Sequence, residues 1–375
     1  MARLCEHERL DALVVYGTSA NARQGQAQVD YLTGFLGHQE AYVIAVPGRL
    51  PILFVQYYNH LPNASRIARG EVRWGGPQSV AAVADELAGL AAGSRVGLVG
   101  PIPYQAQQQL ASRLVNQVLV DVSTSFLKLR LVKSDEELEI MRRAAEVTDT
   151  ALRALVRAAV PGSSELELQA AATAAAIRAG GQPYFLYLSS TPMANPDRMV
   201  PQQDLTDRRL QEGDVVFFEL SATFGGYAGQ ILRTLTINAE PTPLYARLLE
   251  VAWVAFHTVA ATIRPAVHVG EAANAGSIIE TRGFTACDDL VHGYGGGYLP
   301  PVLRTPATSH GPMADFVFEE NMTLVIQPNV VTTDARAGVQ VGELVRVTND
   351  GVLSLHQVPQ RLLLGGETLS PAPSR

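Results

Sequence analysis

Glu219 and Gln230 are the two residues of this 375-residue chain whose spacing says most about chemistry. They lie in GDVVFFELSATFGGYAGQILRTLTIN, residues 213–238, which reads as two β-strands joined by a Gly225–Gly226 turn, the two-residue type that hairpins favour. Strand side chains alternate, so Val216, Phe218, Leu220, Ala222 and Phe224 form one apolar face and Val215, Phe217, Glu219, Ser221 and Thr223 the other. With the turn on those glycines, Phe224 faces Tyr227, Ser221 faces Gln230 and Glu219 faces Leu232. Glu219 and Gln230 are then diagonal neighbours on one face, close enough to share a small ligand. A carboxyl among apolar strands has its pKa raised, which suits general acid/base work near neutral pH. Its plainer role is a structural carboxylate paired with Arg233 or Arg346.

His292 opens the run HGYGGG, where glycines let a ligand approach the backbone closely. An imidazole there is a candidate base or hydrogen-bond donor, against a loop histidine satisfied by backbone carbonyls. His310, in TPATSHGP, is a weaker candidate of the same type.

The elements that position these residues are readable in outline. Residues 1–130 alternate strand-like runs (10–17, 41–48, 50–57, 95–100, 118–123) with helical spacing at 78–92 and 104–117. That order predicts an α/β domain with a mixed or largely parallel sheet. No glycine-rich phosphate loop follows any of these strands, so a nucleotide site is not expected. A boundary falls at 127–133, placing a second domain at 131–375. Two capping boxes, Ser134 with Glu137 and Ser164 with Glu167, open helices that end near Val160 and Gly180. A strand at 183–190, the central hairpin, helices at 243–265 and 271–282, and strands at 322–332 and 338–349 complete an α+β domain, with an irregular stretch from the glycine loop to about 320.

Composition narrows the classes further. A formal charge of −7 and a pI near 5.7 leave no electrostatic footprint for nucleic acid or an anionic membrane. Cys5 and Cys287 make neither a disulfide framework nor a ligand cluster. The N-terminus lacks the pattern of a signal peptide, and the apolar runs are of strand length, so a cytoplasmic protein without a membrane partner is expected.

The chain resembles the creatinase/aminopeptidase P family, whose catalytic domain is the pita-bread fold. LDALVVYG, DYLTGFLG and LRLVKSDEELEIMRRAAEVTD are similar to the family's N-terminal domain and its junction. GDVVFFELSATFGGYAGQILRT is similar to the segment that supplies two metal-binding aspartates, HGYGGG to the His-Gly-x-Gly loop, MTLVIQP to the Met-x-x-x-x-Glu-Pro strand, and GVQVGELVRVTNDG to the last ligand strand. The peptidases of that family bind two divalent ions through two Asp, one His and two Glu. Carried over by position, this chain offers Glu219, Gln230, His292, Gln327 and Gly342. Two divalent ions carry four positive charges and need carboxylate oxygens; Gln is a weak neutral donor and Gly none. Glu343 adjoins the lost position, but one step along a strand points it to the other face unless a bulge intervenes. No metal and no other cofactor is therefore expected.

The creatinase branch implies a metal-free route, hydrolysis of a C–N bond in a small guanidino or amide compound. Its site positions map here to Leu232, Gln327 and Gln202, and its carboxylate-binding arginine to Arg304. With so few carboxylates, creatine itself is not expected. The resulting reading is a metal-independent homodimeric enzyme acting on the C–N bond of a small polar amide, lactam or guanidino-type compound, by hydrolysis or rearrangement, in specialised metabolism. Glu219 and His292 move protons, and Gln230, Gln327, Gln202, His310, Arg304 and Leu232 line the substrate site. Two alternatives stand beside it: a pita-bread scaffold without chemistry, and a residual Xaa-Pro peptidase holding one ion through Glu219, His292 and Glu343.

Overall fold

The computed structural model describes residues 1–19, 25–202, 204–312 and 315–370. The chain divides into two compact units, Met1–Arg130 and Leu131–Arg375.

Among its described residues the first unit carries six strands, β1 (Ala12–Thr18), β2 (Glu40–Ala45), β3 (Ile52–Val55), β4 (Glu71–Trp74), β5 (Arg95–Val99) and β6 (Val118–Asp121). They form one sheet in the order β4-β3-β2-β1-β5-β6, antiparallel across β1–β2–β3 and parallel elsewhere. Six α-helices accompany it among the described residues: α1 (Ala2–Glu8), α2 (Ala27–Thr33), α3 (Leu61–Ile67), α4 (Ser79–Leu87), α5 (Tyr104–Arg113) and α6 (Ser123–Leu129). β1 and β2 are buried almost throughout, and alternate residues supply two cores, Leu13, Val15 and Val43 on one face and Val14, Tyr42 and Ile44 on the other. The sheet is mixed, as its sequence pattern predicts; β4 and the seven-residue helices α1, α2, α3 and α6 were not legible there.

The second unit opens on α7 (Asp135–Ala158) and α8 (Glu165–Arg178). Both begin at the expected capping boxes, with the Ser134 and Ser164 hydroxyls accepting from the N3 backbone and Glu137 and Glu167 returning the bond. Then come β7 (Gln182–Pro192), β8 (Asp214–Phe224), β9 (Tyr227–Thr236), α9 (Pro243–Thr262), α10 (Val269–Ala275) and α11 (Ile278–Thr281). The remaining strands are β10 (Val291–Tyr294), β11 (Tyr298–Leu303), β12 (Thr323–Ile326), β13 (Asn329–Val331), β14 (Gly338–Gln340), β15 (Gly342–Thr348), β16 (Gly351–Ser354) and β17 (Leu363–Leu364). One large sheet runs β11-β10-β12-β15-β9-β8-β7, with β16 on β15 and β17 on β9, while β13 and β14 pair with each other.

The β8–β9 hairpin has the register expected from its turn: Phe224 opposite Tyr227, Ser221 opposite Gln230, Glu219 opposite Leu232. Gly225 and Gly226 take φ of 54° and 85°, a pair of left-handed positions that side chains resist. The even-numbered residues of β8 meet Ile231 and Leu235 and pack beneath Ala151, Leu152 and Leu155 of α7 and Leu168 of α8. This burial sets the register, because a one-residue slip would turn Val216, Phe218 and Leu220 out of that core. Glu219, Gln230 and Leu232 are thereby fixed on the opposite face.

α9 departs from the expectation that apolar runs stop at strand length: by length and composition alone it could cross a bilayer. Its Leu248, Val251, Ala252, Ala255 and Phe256 are buried within the unit, which accounts for the apolar composition. The stretch expected to be irregular beyond the glycine loop holds β11, a strand bearing Pro300 and Pro301 at the sheet's edge, where prolines are tolerated.

Candidate functional site

Four strands bring four polar side chains to one point on the face away from α7. β8 supplies Glu219, β9 Gln230, β10 His292, and Gln327 follows the last residue of β12. Gln230 donates from Nε2 to Glu219 Oε1 at 2.6 Å and to Gln327 Oε1 at 3.1 Å. His292 Nε2 lies 3.1 Å from that Gln327 oxygen and 3.4 Å from Gln230 Nε2, and its Nδ1 lies 3.0 Å from the Gly293 carbonyl. Gln230, Gln327 and His292 are at most 2% exposed and Glu219 is 9% exposed, so only Glu219 reaches the edge of the cluster. Among the described residues Gln230 Oε1 finds no partner, a buried acceptor left open in the middle of the group.

Two glutamines between an acid and an imidazole leave those groups to their surroundings. Burial, and then the charges of Asp288 and Asp289, push the Glu219 carboxyl up to about 8. Burial pushes the His292 ring down to about 4, against the pull of the Gly293 carbonyl, Asp289 and Gln327. At neutral pH the imidazole is therefore uncharged and the carboxyl mostly protonated. The plainer role considered for Glu219 is not realised, because Arg233 pairs with Glu343 and Arg346 bonds Asn321.

His292 is covered as well as buried. Tyr298 of β11 stacks on its ring at 3.9 Å, and the Tyr298 hydroxyl donates to Asp289 Oδ2. Asp289 accepts on its other oxygen from Arg304 Nε at 3.1 Å. Asn329 Oδ1 takes the backbone N–H groups of Cys287 and Asp288 at 2.8 and 3.2 Å, which fixes the loop carrying both aspartates beside Glu219. Tyr298, Asp288 and Asp289 were not singled out in the sequence. The adjacent acids in CDDLVHG, a few residues before His292, were a usable signal, whereas the stacking of Tyr298 depends on the β10–β11 pairing and has no local signature.

The other expected site residues divide. Leu232 lies on the site face, buried among Met141, Tyr294, Val325 and Leu344, as an apolar wall beside the cluster. Arg304 is near but committed to Asp289 and the Cys287 carbonyl, which corrects its assignment as a free carboxylate receptor. Gln202 is exposed and turns its Oε1 back to the Met199 N–H. His310 is exposed on its loop. Both side chains are exposed, and neither joins the four-residue group. Glu343 is on the far face, where Arg233 Nη2 meets its Oε2 at 2.5 Å and Gln360 its Oε1 at 2.7 Å. No bulge returns it, and Gly342 and Glu343 pair in simple register with Leu232 and Ile231. This removes Glu343 from the single-ion alternative.

Residues 139–349 match the metallopeptidase family M24, and residues 1–132 the creatinase/prolidase N-terminal domain. The uncharacterized peptidase YqhT of Bacillus subtilis (strain 168) is 24% identical over 347 residues, 90% of this chain and 93% of that protein. The Xaa-Pro dipeptidase of Pyrococcus furiosus is 24% identical over 271 residues, covering 72% of this chain and 75% of its own. Among solved structures, the prolidase from Pyrococcus horikoshii OT3 superposes with a TM-score of 0.82 at 19% identity, over 96% of this chain and 98% of the other. The chain belongs to metallopeptidase family M24 and carries that family's N-terminal and pita-bread domains.

The family implies a pair of divalent ions, and the residues present do not fit them. Among the described residues no three His, Cys, Asp or Glu side chains converge in a way that could hold an ion. Where the resemblance places five ligands there are one carboxyl held neutral, one imidazole, two amides bonded to each other, and a glycine. Such a set offers hydrogen bonds to a neutral ligand and almost no negative charge to a cation.

Proposed function

We propose that this member of the M24 family hydrolyses the C–N bond of a short peptide or small polar amide, with Glu219 as the proton-transferring group. The observation that carries the reading is the Glu219 carboxyl, buried, flanked by amides and pushed up to about 8, at the one point where the cluster meets its surroundings. Amide hydrolysis adds water to the carbonyl carbon, breaks the C–N bond and sends the amine away with a proton. A carboxyl near 8 is present in both forms around neutral pH, so the same group can take the proton from water and return it to the leaving nitrogen. With Glu219 ionised and Gln230 Nε2 turned to it, Gln230 Oε1 is an open acceptor that suits a substrate N–H.

His292, expected to move protons itself, is fully buried under Tyr298 and acts as a positioning residue. The Gly293 carbonyl requires the ring's proton on Nδ1, so Nε2 of the neutral ring is an acceptor. With Glu219 neutral, both amides turn over from the order in which Gln230 Nε2 faces Glu219 Oε1 and Gln327 Oε1: Gln327 gives its amide nitrogen to the ring and to Gln230, whose oxygen then receives the Glu219 O–H. Amide oxygen and nitrogen are assigned from such partners, and this order matches donors to acceptors along the whole row. Ionisation of Glu219 turns the two amides back, so His292 sets which form of Glu219 the row favours.

The relatives' names support a peptide as substrate rather than a guanidino compound, and they favour a second reading, a metal-dependent peptidase. A panel of dipeptides, including Xaa-Pro ones, with small amides and lactams, assayed with and without chelator, separates the two. The proposal expects a turnover that chelator leaves unchanged and that Glu219→Gln lowers by about 10²–10⁴-fold. Activity abolished by chelator and restored by manganese, zinc or cobalt selects the metal-dependent peptidase. No turnover by a folded protein across the panel favours the scaffold alternative.

A further inference from the structure

We infer that the family's ion centre is closed in this chain by the backbone at Gly342, and not only by the exchange of ligand side chains. The inference deepens the metal-free part of the proposed function and stands on the packing of β15 against the end of β12.

Gly342 begins β15, opposite Leu232 of β9. Its backbone is not in the left-handed region, so no turn requires a glycine here. The requirement is close approach. A Cβ placed on Gly342 would stand 2.4 Å from the Ile326 carbonyl oxygen, 2.7 Å from Gln327 Cα and 3.0 Å from Gln327 Cβ. The first two are main-chain atoms and cannot rotate away. β12 is fixed on both sides, by β10 and by β15, and the Gln327 N–H is bonded to the Leu290 carbonyl at 2.9 Å. The room that a fifth ligand would need is occupied by Gln327 itself, whose side chain is held at 3.1 Å by both Gln230 and His292.

The substitutions are therefore interlocked. Carboxylates put back at 230 and 327 still lack a fifth partner, and a glutamate at 342 collides with the strand that carries Gln327. The site is committed to neutral, hydrogen-bonding ligands.

Two measurements test this on the full chain. Equilibrium dialysis against manganese and cobalt compares wild type, the double variant Q230D/Q327E and the triple variant Q230D/Q327E/G342E. Wild type and the double variant are expected to bind no stoichiometric ion; the triple variant is expected to bind none or to fail to fold. Because misfolding would make the triple variant silent, thermal melting of Gly342→Ala supplies a second reading. Its Tm is expected to fall by at least about 4 °C, and adding Gln327→Ala is expected not to restore it, since the closest contact is with the Ile326 carbonyl oxygen. A folded triple variant holding close to two ions overturns the inference. So does a Gly342→Ala protein that melts with wild type, or one that Gln327→Ala rescues. Closure confirmed in a protein that turns over nothing would remove the hydrolase reading and leave this inference standing.

Discussion

Glu219 and its three neighbours show how a site can keep its geometry while its electrostatics invert. Replacing ligand carboxylates by amides removes the charges that would hold cations, and the remaining acid responds to burial instead. The folded state binds the Glu219 proton more tightly than the ordinary carboxyl value of 4.5, with a pKa of about 8. Its contribution to stability is thus fully present below about pH 4.5 and is lost as pH rises through 8. His292 works in the opposite direction, contributing above its ordinary 6.5 and losing that as pH falls through about 4. Glu219→Gln keeps the shape and removes the first titration. Urea midpoints of wild type and Glu219→Gln should therefore diverge between pH 5 and pH 9, with the variant gaining relative stability as pH rises. A difference that stays constant with pH would mean Glu219 is not held neutral. Glu219 and Gln230 were legible as a pair because strand alternation and a two-glycine turn are local rules. The covering Tyr298 was not, because it reaches His292 only through a strand pairing that two prolines hide in the sequence.

The elements hold this site from behind. Arg233 of β9 is fully buried, donates to the Gly342 carbonyl at 2.8 Å, pairs with Glu343 and lies 5.3 Å over the Trp253 ring of α9. Burial opposes the charge on Glu343, yet Arg233 and then His356 hold its carboxyl below the ordinary range. His356, just beyond β16, reaches the carbonyl of Gln230, on the same strand as Arg233, at 2.9 Å through one nitrogen and Asp149 of α7 at 2.6 Å through the other. Arg233→Met leaves a carboxylate buried without its cation, which should cost about 3–5 kcal/mol. Denaturant unfolding checks this; a loss under about 1 kcal/mol would show that Gln360 and His356 suffice for Glu343. The helices opened by capping boxes and the central hairpin were readable because their signals are contiguous. The seven-residue helices of the first unit were not, since none of them has a side-chain cap bond and each is too short to show a period.

For the molecule as a whole, family membership and chemistry have to be argued separately. The two family matches run through nearly the whole chain, and the large sheet places its four central side chains where the resemblance expects ligands. Sequence order alone was enough for that fold, because several spaced motifs constrain it more than any one of them. What it could not supply was the mutual bonding of Gln230 and Gln327, the closeness of β15 to Gln327, or the solvent-facing positions of Gln202 and His310. These depend on distances between distant strands and loops. The claim that joins the scales is that Glu219 carries a proton at neutral pH, in a cluster built for hydrogen bonds. Infrared difference spectroscopy of wild type against Glu219→Gln at pH 7 reads this directly. The account predicts a protonated-carboxyl carbonyl band, lost in the variant and disappearing as the pH passes about 8. A carboxylate signal at pH 7 in its place would contradict the neutral cluster and return Glu219 to the role of an ionised ligand.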